Sequence, residues 1–181
     1  MDQLSELRGD RFRAVPLTAD DGPQLQRVLE ESADYSQLVL GRPPGPAEAQ
    51  AVFYAGPEDG SAPLNKMIFA IKLTDADEIV GVLDGFRNYP ETGAWYIGLL
   101  LLCPRARSAG IGDEIVEAFA RAARDRGAHE LQLNVVEQNE AGHRFWSKCG
   151  FADVRRWRQR LGERESTFIR MRRELRPRGG G

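Results

Sequence analysis

The chain contains 181 residues, of which 41% are hydrophobic, and its formal net charge at pH 7 is −2. This length allows one substantial buried core, and the nearly balanced charge does not indicate a nucleic-acid or membrane-surface partner. No apolar run is long enough to span a membrane and no signal peptide opens the sequence, so a cytoplasmic protein is expected. We therefore predict one domain over residues 1–181, with flexible ends at residues 1–10 and 176–181.

The first third of the sequence predicts one strand and two helices joined by long loops. Alternating apolar side chains indicate a strand from Arg11 to Leu17, and acidic residues and a proline then indicate the start of a helix that ends near Ser32. The segment from Asp34 to Pro46 is predicted to be irregular because glycines and prolines crowd its end. A short helix from Ala47 to Tyr54 and another loop over residues 55–63 follow.

The remainder of the sequence predicts six strands and two helices. The first helix begins at Ile111, where apolar residues recur at helical spacing, and the second covers Asn139 to Cys149. Cys149 and Cys103 lie in apolar segments and are expected to be small buried side chains. The strands are mainly apolar runs bounded by polar turns. They cover Met67–Leu73, Ile79–Phe86, Ala94–Leu102, Leu131–Val136, Val154–Gln159 and Ser166–Arg173.

A turn with two glycines connects the most apolar strand to the first of these helices. This glycine turn is Arg107-Ser108-Ala109-Gly110-Ile111-Gly112. The first N–H groups of a helix lack intrahelical acceptors and carry partial positive charge, so the glycine turn is a candidate anion site. Gly110 and Gly112 would let a pyrophosphate approach the main chain, and Arg107 and Arg105 could add charge-assisted contacts.

Two common nucleotide-binding motifs do not fit this turn. A P-loop requires Gly-Lys-Ser/Thr at the start of the helix, but Gly112 is followed by Asp113 and Glu114. A Rossmann turn requires glycine or alanine three residues after its second glycine, where this chain has Ile115, and no βαβ unit follows.

The glycine turn resembles the cofactor motif of the GNAT N-acetyltransferase superfamily, Arg/Gln-x-x-Gly-x-Gly/Ala, through Arg107, Gly110 and Gly112. Pro104 matches a proline that members often carry three residues before the arginine. A second block, Asn139 to Phe151, is similar to the family segment Asn…Tyr-x-Lys-x-Gly-Phe at matching spacing. The order of the predicted elements is also that of the family, so the resemblance covers nearly the whole chain, although its specific motifs lie in residues 95–151.

The resemblance implies an α/β fold with a mixed sheet of six to seven strands flanked by about four helices. The fourth and fifth predicted strands would be parallel neighbours that splay apart near their carboxyl ends, with a bulge expected at Gly98. Acetyl-coenzyme A would be the cosubstrate, held in the splay and by the glycine turn, and no metal is implied. The residues expected to bind it are Leu100, Leu101, Leu102, Arg105, Arg107, Ser108, Ala109, Gly110, Ile111, Gly112, Asn139 and Trp146.

The chemistry that the resemblance implies is direct attack of a neutral amine on the acetyl thioester. A backbone N–H near Leu100–Leu102 would stabilise the tetrahedral state. The family's usual proton donor to the thiolate is a tyrosine, but Trp146 occupies that position, and an indole cannot act as an acid near neutral pH. Tyr96 stands where the histone-acetylating branch has its glutamate base, so Tyr96 and Trp146 are the candidate catalytic residues. Further titratable groups that could line the cleft are Asp84, Glu137 and His143.

The sequence does not select the acceptor amine, which could belong to a small molecule or to a protein. In this family the segment between the first two strands usually shapes the acceptor site, and here it offers Asp34, Tyr35, Tyr54, Glu58 and Asp59. The alternative function is a coenzyme A-binding sensor or interaction module without turnover, which Trp146 supports.

The end of the chain is rich in arginine. Residues 151–181 contain ten arginines and four acidic residues, which we interpret as a solvated edge of the sheet and not as a nucleic-acid site. Apart from the amine acceptor, neither a nucleic acid nor a membrane is an expected partner, and a homodimer is left open.

Overall fold

The computed structural model describes residues 4–56, 65–107 and 109–175. Its strands are β1 (Leu7–Arg8), β2 (Phe12–Pro16), β3 (Lys66–Leu73), β4 (Ile79–Arg87), β5 (Ala94–Leu102), β6 (Glu130–Val136), β7 (Ala152–Leu161) and β8 (Arg164–Glu174). Its helices are α1 (Gly22–Glu31), α2 (Ala33–Leu40), α3 (Glu48–Tyr54), α4 (Ile111–Asp125) and α5 (Glu140–Lys148). The predicted mixed α/β fold is confirmed, with one strand and one helix more than the sequence predicts.

The sheet consists of two antiparallel parts that meet at one parallel pair of strands. Strands β1 to β5 lie side by side in chain order, and β6, β8 and β7 follow beyond β5. The register of β5 on β6 runs from Ala94 opposite Glu130 to Ile97 opposite Leu133. Both strands continue beyond these residues without further pairing to each other. The predicted splay between these two strands is therefore confirmed.

A bulge in β5 lies at the point where the two strands part. Asp84 of β4 is opposite Leu99, whereas the next residue of β4, Gly85, is opposite Ile97, which leaves Gly98 as the extra residue. A bulge bends its strand and increases the local twist, so it helps to turn the end of β5 away from β6. The bulge predicted at Gly98 is confirmed.

Helix α4 buries its apolar stripe against one face of the sheet. Its buried positions, among them Ile115 and Phe119, recur at helical spacing and belong to the largest core cluster, with side chains of β2 to β6. Trp146 of α5 joins the same cluster. Asn139 caps α5, and its side chain accepts a hydrogen bond from the N–H of Gly142 at 2.9 Å. Both helices agree with the sequence prediction.

The opposite face of the sheet carries α1, α2 and α3. Leu25 of α1 and Val52 of α3 are buried with Val82 of β4. Val39 of α2 is buried with Phe168 of β8, further along the same face. Helices on both faces leave room for a ligand where the sheet itself opens.

Helix α2 contradicts the prediction of an irregular segment from Asp34 to Pro46. The helix occupies Ala33–Leu40 and ends at Gly41, whose φ of +77° is left-handed and suits a residue without a Cβ. The segment after it has no regular structure, as the prolines predict. A helix this short is stable mainly through tertiary packing, which the local sequence pattern does not reveal.

Strand β1 contradicts the prediction that residues 1–10 are loose. β1 pairs with β2, and Leu4 and Leu7 are buried in the main core cluster. Residues 1–3, most of the predicted loop at 55–63 and the predicted tail at 176–181 lie outside the described residues. Within the described residues, no helix combines the length and apolar character needed to cross a membrane.

Candidate functional site

A cleft of about 920 Å³ passes through the sheet where β5 and β6 part. Its walls include side chains of β6 from both faces of the sheet, Leu133 and Val135 on one and Asn134 and Val136 on the other. We call the part lined by Gly110, Gly112, Asn139, Phe145 and Trp146 the α4 end. We call the part lined by Tyr35, Leu38, Val39, Asn134, Gln159, Leu161 and Phe168 the α2 end. Two molecules could therefore meet in the cleft from opposite faces.

The glycine turn forms the start of α4 at the α4 end. Gly110 is the N-cap residue and has a φ of +75°, which glycine adopts without the usual Cβ penalty. A Cβ on Gly112 would lie 3.1 Å from the ring of Phe145, so a side chain there would crowd the contact between α4 and α5. The unpaired N–H groups and the dipole of the helix start favour an anion at this end of the cleft.

Arg107 lies at the edge of the cleft and is held by two groups. Its Nε donates to the carbonyl oxygen of Leu102 at 2.8 Å. Its Nη1 and Nη2 donate to the carboxylate of Asp34 in α2 at 2.6 and 3.2 Å. The hydrogen bond from Arg107 holds the pKa of Asp34 below its ordinary value. Asp34 therefore connects α2 to the glycine turn.

The remaining residues expected to bind a cofactor are not all placed together. Leu100, Leu101, Leu102, Asn139 and Trp146 line the cleft. Arg105 does not, because its guanidinium pairs with Glu78 at 2.9 Å. The side chain of Ile111 is buried in the core, and the carbonyl oxygen of Ala109 accepts a hydrogen bond from Arg11. Ser108 lies outside the described residues.

Helix α2 covers the α2 end and is attached to the protein on both sides of the cleft. Asp34, near its start, is paired with Arg107 after β5. At its end, the carbonyl oxygen of Leu40 accepts a hydrogen bond from the N–H of Glu163 at 3.0 Å. The carbonyl oxygen of Leu38 accepts one from Arg164 at 3.2 Å. Since these two partners lie at the turn between β7 and β8, α2 spans the cleft.

The two candidate catalytic residues both line the cleft. The Tyr96 ring lies edge-on to Tyr89, with centroids 5.4 Å apart, and the guanidinium of Arg170 lies 5.4 Å from the Tyr96 centroid. Trp146 packs edge-on against Phe145, with centroids 4.9 Å apart. The structure thus places Tyr96 beside the α2 end and Trp146 at the α4 end.

Asp84 is buried directly behind the bulge. Its Oδ2 lies 3.0 Å from Lys66 Nζ, and a Cβ on Gly98 would lie 3.6 Å from the same oxygen. Burial raises the pKa of Asp84 to about 6 despite the attraction of Lys66. Asp84 therefore lies beneath the wall of the cleft and does not line it.

The other polar candidates are distributed over the surface. Glu137 pairs with Arg156 at 2.9 Å, and His143 Nε2 lies 2.7 Å from Asp153. Tyr54 is 77% exposed and, like these residues, is not part of the cleft. Asp34 and Tyr35 do line it, whereas Glu58 and Asp59 lie outside the described residues.

Most residues of the α2 end could not be predicted from sequence patterns. Leu38 and Val39 belong to the unpredicted helix α2, and Gln159, Leu161 and Phe168 reach the cleft only because β8 pairs with β6. Cys149 is close by, 3.6 Å from Asp113, but burial raises the pKa of its thiol to about 12, so it is not a nucleophile at neutral pH. Among the described residues, no three His, Cys, Asp or Glu side chains are arranged to hold a metal ion.

Comparison with known proteins relates the fold and the cleft to a protein family. The sequence profile of the Acetyltransferase (GNAT) family matches residues 28–151. N-alpha-acetyltransferase 30 of Schizosaccharomyces pombe is 28% identical over 92 residues, which are 49% of this chain and 60% of that protein. The chain therefore matches less than two thirds of the length of that relative.

Solved structures show the same architecture. An acetyltransferase from Thermus thermophilus is similar with a TM-score of 0.73 and 25% identity, over 91% of this chain and 97% of that chain. An acetyltransferase of the GNAT family from Bacillus anthracis is similar with a TM-score of 0.74, over 94% of this chain and 98% of that chain. The second likeness, at 11% identity, concerns the fold alone.

Proposed function

Because this chain belongs to the acetyltransferase (GNAT) family, we propose that it transfers an acetyl group from acetyl-coenzyme A to a primary amine. The observation that carries the proposal is the opening between β5 and β6 with the glycine turn at one end. This opening connects the α4 end, which favours an anion, with the α2 end on the opposite face of the sheet, which α2 covers. A donor and an acceptor could therefore reach each other without sharing an entrance.

The residues of the α4 end fit the donor. The N–H groups at the start of α4 would hold the pyrophosphate, and Gly110 and Gly112, which line the cleft, place no side chain of their own against it. Beyond Ile97 and Leu133, the facing edges of β5 and β6 are no longer paired with each other. The extended pantetheine arm could pair with these edges as an added strand does.

The reaction would be direct attack of the neutral amine on the thioester carbonyl carbon. The N–C bond forms, the C–S bond breaks, the amine nitrogen loses a proton and the coenzyme A thiolate gains one. A backbone N–H near Leu100–Leu102 would stabilise the oxyanion more strongly than the ground-state carbonyl. Tyr96 is the proposed proton donor, with water as the alternative, and Trp146 would pack against the donor.

The test of the donor site is the thermal stability of the protein with coenzyme A. Saturating coenzyme A should raise Tm because it binds the folded state. Gly112→Val should abolish this shift, since the added side chain obstructs the glycine turn and presses on Phe145. Gly45→Val is the control, because a Cβ there makes only ordinary contacts, at 3.6 Å or more, and Gly45 does not line the cleft. No Tm shift in the unaltered protein at millimolar coenzyme A would refute the proposal.

Trp146 favours a second candidate function, a coenzyme A-binding sensor without turnover. Its indole lines the cleft at the position of the family's tyrosine and cannot donate a proton to a thiolate near neutral pH. Thiol release with a panel of amines distinguishes the two functions. Acetyl-dependent release supports the enzyme, whereas coenzyme A binding with no release for any amine supports the sensor.

A further inference from the structure

The charged side chains of the cleft are already paired. Within the described part of the chain, the charged residues that line it are Asp34, Arg107, Asp113 and Lys148. Asp34 lies 2.6 Å from Arg107, and Asp113 lies 3.0 Å from Lys148. A second ammonium group on an acceptor would therefore have to displace Arg107 or Lys148 to reach a carboxylate in the cleft.

The α2 end is apolar apart from a few neutral polar groups. Val39, Phe168 and Val136 form a buried cluster against which Tyr35 and Leu161 pack. Gln159 and Asn134 add amides but no charge. Such a lining stabilises an apolar body, because each methylene group removed from water contributes favourably to binding.

A positive charge lies directly beneath this lining. Arg170 Nε donates to Asn134 at 2.5 Å, and the guanidinium stands 5.7 Å from the Trp157 ring as well as against Tyr96. Its Nη1 also donates to Gln132 Oε1 at 3.0 Å, so the amide oxygens of Asn134 and Gln132 already serve Arg170 and would have to leave it to accept from an ammonium group. An unpaired ammonium would also lose its hydration without compensation. The α2 end therefore disfavours acceptors with several amines.

We infer that the acceptor is a small monoamine whose body is apolar and uncharged. The inference rests on the proposed acetyl transfer and assigns the substrate class of the α2 end. Tyr35, Leu161 and Phe168 would contact the apolar body, and the amine would point through the opening of the sheet. The acceptor is small because α2 is tied to Arg107 at one side and to Glu163 at the other, which encloses the α2 end.

The experiment compares three acceptors in a thiol-release assay with acetyl-coenzyme A. They are 2-phenylethylamine, the polyamine spermidine and a short peptide whose first residue is phenylalanine. The expected kcat/KM for 2-phenylethylamine is at least about tenfold above that for each of the other two, since apolar contacts of this size discriminate by such factors.

A charge placed in the α2 end supplies the second test. Gln159→Glu keeps the size of the side chain and an oxygen for Trp157 Nε1, which donates to Gln159 at 2.9 Å. The added carboxylate should shift the preference toward spermidine by about threefold or more. Arg160→Gln is the matched control, because it makes the same change in net charge on the neighbouring residue of β7, which faces the other side.

Three results would overturn the inference about the acceptor. Higher kcat/KM with spermidine or with the peptide overturns the inference and leaves the proposed transfer intact. An equal shift in Gln159→Glu and Arg160→Gln shows that net charge and not the α2 end sets the preference, which also overturns it. If coenzyme A binds but no amine releases thiol, the proposed function itself fails, and the inference fails with it.

Discussion

At the scale of single residues, the pair of Asp84 and Lys66 stands out because both side chains are more than nine-tenths buried. Lys66 Nζ donates to Asp84 and to the carbonyl oxygen of Val52 at 2.9 Å. No described residue donates to Asp84 Oδ1. Removing Lys66 would leave a buried carboxylate unpaired, which typically costs about 3–5 kcal/mol. The pair lies behind the bulge at Gly98, and its burial lowers the tolerance of this site to substitution.

The raised pKa of Asp84 predicts how stability varies with pH. The folded protein holds this proton up to about pH 6, against an ordinary pKa of 3.8, so it binds the proton more tightly than the unfolded chain. The stability due to Asp84 is therefore complete below the ordinary pKa and is lost as pH rises through about 6. From about pH 5 to about pH 7.5, the free energy of unfolding should fall by about 1–2 kcal/mol more than in Asp84→Asn.

Urea unfolding at the two pH values measures this difference. Asp75→Asn is the control, because Asp75 is exposed in the turn between β3 and β4. We expect the free energy of unfolding of Asp75→Asn to depend on pH as it does in the unaltered protein, and that of Asp84→Asn to depend on pH more weakly. The same pH dependence in all three proteins would contradict the assignment.

Tyr96 carries the prediction about proton transfer. Tyr96→Phe should lower kcat severalfold or more, up to about a hundredfold, if its hydroxyl protonates the thiolate. The decline of kcat at high pH should also disappear, because only the protonated hydroxyl can donate. Trp146→Phe should change kcat modestly, through packing alone. The measurement is kcat against pH with a good acceptor, and a Tyr96→Phe profile that matches the unaltered protein would leave water as the donor.

At the scale of elements, α2 decides how the cleft is enclosed. Its attachments are hydrogen bonds and an ion pair at its ends, whereas Val39 supplies its buried apolar contact. The ion pair is half-exposed, and such pairs contribute about 0–1 kcal/mol. The position of α2 therefore depends on contacts that open more readily than the core.

Asp34→Asn should loosen α2 without unfolding the protein. We expect faster amide hydrogen exchange in residues 33–40 and a change in global stability within about 1 kcal/mol. Mass spectrometry of peptides covering α2 measures the exchange. Glu140→Gln is the matched control, since it removes an exposed ion pair with Arg144 in α5. Unchanged exchange in α2 would show that Asp34 does not hold the helix.

Sequence patterns predicted those elements whose structure depends on residues close together in the chain. Apolar runs identified β3 to β6, helical spacing identified α4, and the glycines identified both the turn at Gly110 and the bulge at Gly98. The residues of the α4 end could also be predicted, because they belong to elements that local sequence patterns identify. β1 and α2 could not, because they are short and stabilised by distant segments. The α2 end is likewise missing from the sequence prediction, since Gln159 reaches it through strand pairing.

At the scale of the whole molecule, folding brings part of the arginine-rich end against carboxylates of the earlier chain. The arginine-rich end lies beside acidic residues of the earlier chain because β8 pairs with β6. Arg156 lies 2.9 Å from Glu137, and Arg173 lies 2.6 Å from Glu117. These two arginines therefore form ion pairs with carboxylates of the same chain.

We accordingly expect no specific nucleic-acid binding. Affinity for RNA or duplex DNA at physiological salt should stay in the weak, non-specific range of about 10⁻⁴–10⁻⁶ M. Fluorescence anisotropy over a range of salt concentrations measures this. A sub-micromolar complex that is lost when Arg155, Arg156 and Arg158 are replaced by glutamine would overturn our interpretation of the arginine-rich end.

The short parallel contact between β5 and β6 has a mechanical consequence. Five strands lie on one side of it and three on the other, and the two antiparallel parts are joined within the sheet by the four residue pairs from Ala94–Glu130 to Ile97–Leu133. A rotation between the two parts would turn about those pairs, which we call the hinge, because β5 and β6 are not paired beyond them. A small rotation about the hinge would widen or narrow the part of the cleft farthest from it, because displacement grows with distance from the axis of rotation. Substitutions at the hinge could therefore retune the size of the acceptor without altering the residues that touch it.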